Sequence, residues 1–159
     1  MDDDEPAVTV AGWREWVALP DLDVPWVKAK LDTGARSSSI HAFDVEEAER
    51  DGAPWVSFAI HPWQRSESDE VRVELPVVDR RAIRSSTGHE EERLLVRTRI
   101  TVVGHELDAE LTLANRDEMG FRMLVGREAL RGTILVDPGR SYLGGRPKRS
   151  TRRKNRGAA

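Results

Sequence analysis

Residues 30–35, Lys-Leu-Asp-Thr-Gly-Ala, are the part of the chain whose residue types most directly suggest chemistry. They place one carboxylate, Asp32, at the end of an apolar stretch and immediately before a Thr-Gly turn. Acid–base activation of water by carboxylates alone needs a second carboxylate, so that the pair shares one proton. The chain contains one such segment. Either a second copy supplies the partner carboxylate, or the site is not catalytic.

A downstream segment favours the catalytic interpretation. Asp-Thr-Gly alone is weak support, because Asp and Gly are common turn residues. The apolar residues before Asp32 strengthen it, since they would bury the base of the turn. Residues 123–130 add an apolar run, then Gly126-Arg127, then a short helical stretch.

Together these two segments resemble the retropepsin half-barrel, in which an apolar-Gly-Arg segment packs beneath the catalytic turn. More narrowly, the chain is similar to the bacterial RimB-like family of retropepsin-like aspartic peptidases. That family is also labelled ATP-dependent zinc protease and is found beside ATP-grasp glutamate ligases. The resemblance extends from residue 12 to about residue 143 and is carried by residues 12–17, 28–38, 84–88, 111–116 and 123–130.

The resemblance implies a homodimeric aspartic endopeptidase. Asp32 of each chain would meet at the twofold axis and hold one water, Thr33 would hydrogen-bond across that axis, and Gly34 would let the substrate backbone approach. These three residues are the implied catalytic set. A flap over the peptide would come from the loop at 85–92. The implied substrate-binding residues are Ala35, Arg36, Arg84, Ser85, Ser86, Thr87, Gly88, His89 and Arg127.

One departure from viral retropepsins concerns charge. Those enzymes typically have an acidic residue after the turn that pairs with the arginine of Gly-Arg, and here Arg36 occupies that place. The basic residues expected near the cleft are Lys28, Lys30, Arg36, Arg84, Arg93 and Arg127. A cationic cleft favours an anionic chain, and the family's association with glutamate ligases suggests a poly-glutamate peptide or a glutamylated protein. Alternatively, these residues form solvated ion pairs with the chain's 28 Asp and Glu residues.

The zinc and the ATP of the family label have no sequence motif here. A zincin needs His-Glu-x-x-His on one helix, but the run that begins at His89 has Arg93 at the last position. No Gly-x-x-x-x-Gly-Lys-Ser/Thr run is present to hold phosphates. We therefore expect no metal and no cofactor, and the absence of cysteine excludes thiolate chemistry.

The surrounding pattern predicts an all-β domain, a retropepsin-like closed β-barrel with one short C-terminal helix. Strands are predicted where β-branched and aromatic residues cluster or alternate with polar ones. The predicted strands are 8–19, 24–31, 38–42, 55–60, 71–78, 82–85, 94–103, 106–113 and 133–136. Two stretches, 44–49 and 127–131, are predicted to be helical.

Composition predicts three regions: an acidic tail at 1–7, the retropepsin-like domain at 8–143, and a basic, disordered tail at 144–159. The tail carries seven basic and no acidic residues between 146 and 156, although the net charge is −3. No apolar run approaches the roughly 20 residues of a membrane-spanning helix. The acidic start does not resemble a signal peptide, so we expect a cytoplasmic protein without a membrane partner.

Two other functions remain open at this point. The fold could hold an acidic tail in its cleft without cutting it. Alternatively, the basic tail could make the chain a ribosome- or RNA-associated factor. Besides a second copy and an acidic substrate, a ribosomal protein or an ATP-grasp ligase is a further candidate partner.

Overall fold

The computed structural model describes residues 8–84, 88–115 and 120–156, and strands dominate these ranges. The strands are β1 (Thr9–Leu19), β2 (Val24–Asp32), β3 (Ser38–His41), β4 (Phe43–Arg50), β5 (Ala53–Ile60), β6 (Val71–Pro76), β7 (Asp79–Arg84), β8 (Glu90–Val102), β9 (His105–Ala114), β10 (Met123–Gly126) and β11 (Ile134–Ser141). The helices are α1 (Arg127–Leu130) and α2 (Arg149–Arg152). The predicted all-β class is confirmed.

Six of the strands form a closed ring. Their order is β1-β2-β10-β3-β9-β8, and the pairing of Ala18 with Thr101 joins the last strand to the first. β11 adds to β1 in parallel, and β7 adds to β8 antiparallel. The ring is the closed architecture that the sequence predicts.

Period-two alternation on β2 separates the core from the outer surface. Val27, Ala29 and Leu31 are buried, whereas Lys28 and Lys30 between them are partly exposed. Successive side chains of a strand point to opposite faces. The same alternation therefore places Asp32, at the end of β2, on the face that carries the two lysines.

A second sheet of three strands, β4-β5-β6, contains both a confirmed and a wrong prediction. The predicted hairpin of 55–60 with 71–78 is present, since β5 and β6 pair antiparallel. The predicted helix at 44–49 is wrong, because these residues lie in β4 and pair with β5. Glutamate and alanine are good helix formers, but helix propensity is a small energy per residue, and pairing with a neighbouring strand overrides it. The predicted helix at 127–131 is present as α1.

A buried carboxylate connects β1 to the chain that follows β11. Glu15 is fully buried. Its Oε2 accepts hydrogen bonds from the backbone N–H groups of Gly12 at 2.7 Å and Leu143 at 2.9 Å, and its Oε1 accepts one from Gly144 at 3.0 Å. Three charge-assisted hydrogen bonds compensate for removing the carboxylate from water.

Part of the predicted C-terminal tail carries regular structure. α2 continues into a 3-10 turn, Arg153–Arg156, that contacts the domain. The Asn155 side-chain oxygen accepts a hydrogen bond from the Gln64 backbone N–H at 2.7 Å, and Lys154 Nζ lies 2.7 Å from Asp69 Oδ2. These partners lie far away in the sequence, so the tail's composition did not reveal them. The predicted acidic tail at 1–7 lies outside the described residues, as do residues 157–159.

In the described ranges, no helix combines the length and apolar character that crossing a membrane requires.

Replacing Glu15 with Gln should lower the free energy of unfolding by about 1–3 kcal/mol, because an amide nitrogen would then face a backbone N–H in a buried site. Urea denaturation measures this change. Glu46→Gln, on exposed β4, is the matched control and should stay near the wild-type value. Equal effects of the two substitutions would show that the Glu15 hydrogen bonds add nothing.

Lys154→Gln should raise the pKa of the Asp69 carboxyl toward its ordinary value. Hydrogen bonds from Lys154 and then Trp63 lower that pKa, so this contact stabilises the fold above pH about 4 and is lost as pH falls through the folded-state pKa. NMR titration of the Asp69 side-chain carbon gives the value. Lys148→Gln is the control and should leave the Asp69 pKa unchanged. A changed Asp69 pKa in this control, or an unchanged one in Lys154→Gln, would contradict the role assigned to Lys154.

Candidate active site

The Asp-Thr-Gly turn orients its own carboxylate. The Ala35 N–H donates to the Asp32 carbonyl oxygen at 3.1 Å, and the Gly34 N–H donates to Asp32 Oδ1 at 2.9 Å. A Cβ at Gly34 would lie 3.2 Å from Oδ1, so a side chain there would crowd the carboxylate. Asp32 keeps 33% of its side chain exposed, and Lys30 Nζ lies 3.9 Å from Oδ2. The carboxylate is thus fixed in direction and accessible from solvent.

The Gly-Arg segment packs directly against this turn. β10 runs parallel to β2, which brings Gly126 opposite Asp32. A Cβ at Gly126 would lie only 2.5 Å from the Ser37 carbonyl oxygen, so only glycine fits. The buried Ser38 Oγ accepts a hydrogen bond from the Gly126 N–H at 3.0 Å.

Backbone hydrogen bonds extend this contact into α1. The Arg127 N–H donates to the Ala35 carbonyl at 2.8 Å, and the Glu128 N–H donates to the Arg36 carbonyl at 3.2 Å. The segments around Asp32 and Arg127, far apart in the chain, are therefore held as one unit. The expected position of the Gly-Arg segment next to the turn is present.

The charges around the turn include an acid that the sequence analysis missed. Arg36 Nε lies 4.0 Å from Glu128 Oε1, and Arg127 Nη1 reaches the Gly34 carbonyl at 3.4 Å. The carboxylate is thus on α1 and the arginine follows the turn, the reverse of the viral arrangement. Glu128 could have been found from the sequence, because it directly follows Gly126-Arg127. Arg36 remains 76% exposed, so this pairing is loose.

The segment expected to act as a flap, 85–92, joins β7 to β8 and includes the first residues of β8. The last pair of the β7–β8 hairpin is Arg84 with Glu90, with an ion-pair distance of 3.9 Å. Gly88, with a φ of +82°, and His89 are exposed in the connection. Ser85, Ser86 and Thr87 lie outside the described residues. Arg81 on β7, which the sequence analysis did not select, donates from Nη1 to Ser37 Oγ at 3.3 Å and so connects the hairpin to the chain after the turn.

A cleft of about 200 Å³ lies where this hairpin, the turn and α1 meet. Its lining includes Arg36, Ser37, Ser38, Arg81, Asp108, Glu110, Glu128 and Ala129. Arg81 Nη2 lies 3.9 Å from Glu110 Oε2, so cations here are balanced by carboxylates, as the ion-pair alternative expects. Arg93 is buried on β8 and is therefore not an exposed cation of the cleft. The described side chains contain no group of three or more His, Asp or Glu placed to hold a metal ion.

A model of the RimB-like family, described as the retropepsin-like aspartic endopeptidase RimB, matches residues 10–147. The chain belongs to this family. The match includes the Asp32 turn, Gly126-Arg127 and the β7–β8 hairpin. The family resemblance inferred from the sequence is thereby confirmed.

Relatives of this RimB-like chain include much longer proteins. A probable alpha-L-glutamate ligase of Shewanella halifaxensis is 50% identical over 133 residues, which are 84% of this chain and 29% of the relative. A probable alpha-L-glutamate ligase of Desulfotalea psychrophila is 45% identical over 132 residues, 83% of this chain and 28% of the relative. The chain thus spans less than a third of the length of these curated relatives.

A solved structure has the same fold as this RimB-like chain. It is a Legionella pneumophila protein of unknown function (DUF785), with a TM-score of 0.71 and 25% sequence identity. The alignment covers 87% of this chain and 99% of the Legionella protein.

Ser38→Ala should reduce the free energy of unfolding by about 1–3 kcal/mol, because the buried Gly126 N–H would lose its acceptor. Thermal or urea unfolding reports the change. Ser39→Ala is the neighbouring control, also on β3 and buried, and should have the smaller effect. A larger loss for Ser39→Ala would contradict the role assigned to the Ser38 hydroxyl.

Proposed function

We propose that this chain is a homodimeric aspartic endopeptidase that hydrolyses glutamate-rich peptides or tails, using water activated by a pair of Asp32 carboxylates. The observation that carries the proposal is the accessible Asp32 carboxylate, held by the Gly34 amide and flanked by Lys30. Neither neighbour can share a proton as a second carboxylate would. A second copy of the same turn supplies that group.

In this mechanism the two carboxylates share one proton because their negative charges repel at close range. The ionised carboxylate takes a proton from the water, whose oxygen bonds to the peptide carbonyl carbon. The protonated carboxylate donates its proton to the carbonyl oxygen. The intermediate then collapses: the carboxyl group that took the water proton gives it to the amide nitrogen as the C–N bond breaks, and a hydroxyl of the intermediate returns a proton to the other carboxylate as the carbonyl forms again. Thr33, exposed beside Asp32, hydrogen-bonds across the axis to its copy.

The positive charges around the Asp32 turn support an acidic substrate. Lys30 lies within 4 Å of Asp32, and both Arg36, which follows the turn, and Arg127, at the start of α1, are exposed. Carboxylates of a bound peptide find charge-assisted partners there. The relatives' name, alpha-L-glutamate ligase, supports glutamate as the anionic residue. A glutamylated protein, including a ribosomal one, is then the substrate, and the ligase that adds the tail is the functional partner.

Asp32→Asn should reduce cleavage of a poly-glutamate peptide by roughly 10²–10⁴-fold, since the amide cannot accept the proton of water. Mass spectrometry of the products measures cleavage, and fluorescence anisotropy measures peptide binding, which should persist. Full activity of this variant would exclude the aspartic mechanism. A wild-type chain that binds the peptide but never cuts it would instead be an acidic-tail binding module.

Mixing wild-type and Asp32→Asn chains tests the shared site. At constant total protein, an equal mixture should retain about one quarter of the wild-type rate, because only dimers with two wild-type chains carry both carboxylates. An independent monomer would retain about one half. Asp51→Asn, in the exposed turn between β4 and β5, is the control, and its mixtures should keep the full rate.

A further inference from the structure

Basic side chains converge on one half-buried ring at the end of β11. The Arg14 guanidinium lies 5.0 Å from the centre of the Tyr142 ring and 4.8 Å from that of Trp13. Lys28 Nζ lies 6.0 Å and the Arg146 guanidinium 5.9 Å from the Tyr142 ring. We call these residues, Arg14, Lys28, Tyr142 and Arg146, the Tyr142 cluster. Cation–π contacts orient the charged groups without neutralising them.

The two arginines of the cluster, Arg14 and Arg146, are not neutralised by the acid that follows Arg14 in β1. That acid, Glu15, is buried and accepts the three backbone hydrogen bonds described above. Elsewhere on the surface, arginines such as Arg80 and Arg99 pair with exposed carboxylates. Among residues 8–84, 88–115 and 120–156, no carboxylate lies within ion-pair distance of Arg14 or Arg146. Burial raises the pKa of Tyr142, and the charges of Arg14, Arg146 and Arg152 oppose that rise, which places a third arginine nearby.

The cluster lies on the face of the sheet that carries Asp32. Arg14 is the cross-strand partner of Lys30, and directly opposed residues share a face. Asp32, Lys30 and Lys28 follow one another at two-residue spacing on β2, which keeps them on that face and spans about 13 Å. A row of cations therefore leads from the catalytic turn to the Tyr142 ring.

We propose that the Tyr142 cluster is an exosite that holds side-chain carboxylates of the acidic substrate at a distance from the scissile bond. This inference rests on the proposed peptidase function and adds a dependence on tail length to it. An extended peptide presents alternate side chains on one side every ~6.6 Å, the same repeat as Lys30 and Lys28. A tail that reaches the cluster gains contacts with two arginines, each able to bind a carboxylate through two N–H groups.

RNA is the other polyanion that such a charge would attract. The rings here are already in contact with other groups: Tyr142 with three cations and Trp16, Trp13 with Arg14 and Phe121. Single-stranded RNA binding relies on open aromatic faces for base stacking. An acidic peptide binds through its carboxylates and needs only the positive charges of the cluster. The geometry therefore favours an acidic peptide over RNA.

The experiment compares a peptide of about ten glutamates with one of about four, because at ~3.3 Å per residue only the longer reaches well beyond the cluster. In the wild-type full-length chain, kcat/KM should be higher for the longer peptide, mainly through a lower KM. In Arg14→Gln/Arg146→Gln this preference should fall by about tenfold. Arg146→Lys should keep most of it, because the charge remains. Arg149→Gln, an exposed arginine of α2 outside the cluster, should keep the wild-type ratio.

Binding of the same labelled peptides to the Asp32→Asn chain separates the exosite from catalysis. Weaker binding of the long peptide after the double substitution, with no change for Arg149→Gln, supports the exosite even if no cleavage is found. Equal kcat/KM for both lengths in the wild type overturns the exosite and leaves the peptidase standing. Tighter, cluster-dependent binding of a single-stranded RNA of matched charge would also overturn the assignment to the peptide substrate.

Discussion

The backbone of residues 35–37 lies so close to Gly126 that no side chain fits between them. This close backbone contact, together with the parallel pairing of β10 with β2, fixes the position of Asp32. Hydrogen bonds support it on both sides: the Ala35 and Arg36 carbonyls accept from the first N–H groups of α1, and the Gly34 N–H donates to the Asp32 carboxylate. These contacts hold the turn in one conformation, and such preorganisation is what the proposed aspartic mechanism requires.

The distribution of charge separates two parts of the surface. Around β7, β8 and β9, cations and carboxylates alternate and largely balance one another, as in the ion pairs of Arg81 and Arg97 with Glu110. Beside the outer face of β1 and β2, Glu15 is withdrawn into the interior, and no described carboxylate pairs with Arg14 or Arg146. A low net charge therefore coexists with a local positive field, and such fields attract substrates of opposite charge.

Some elements could be predicted from the sequence because their signal is local. The strands β1, β2, β5 and β6 follow clusters of β-branched and aromatic residues, and α1 follows Gly126. The helix predicted at 44–49 was wrong because nearly every residue of β4 is exposed. No apolar alternation marks it as a strand, and pairing with β5 decides its conformation. The contacts of the C-terminal segment with Gln64 and Asp69 could not be predicted for a related reason, since they are formed with residues distant in the sequence.

The sequence by itself determined the Asp-Thr-Gly turn, the downstream Gly-Arg segment and the family, because each depends on residue types at short spacing. The tertiary structure alone decided the Arg36–Glu128 pair, the burial of Arg93 and Glu15, and the convergence of Arg14, Lys28 and Arg146 on Tyr142. These features join residues that are distant in the chain. Their position follows from strand order and register, which short-range patterns do not encode.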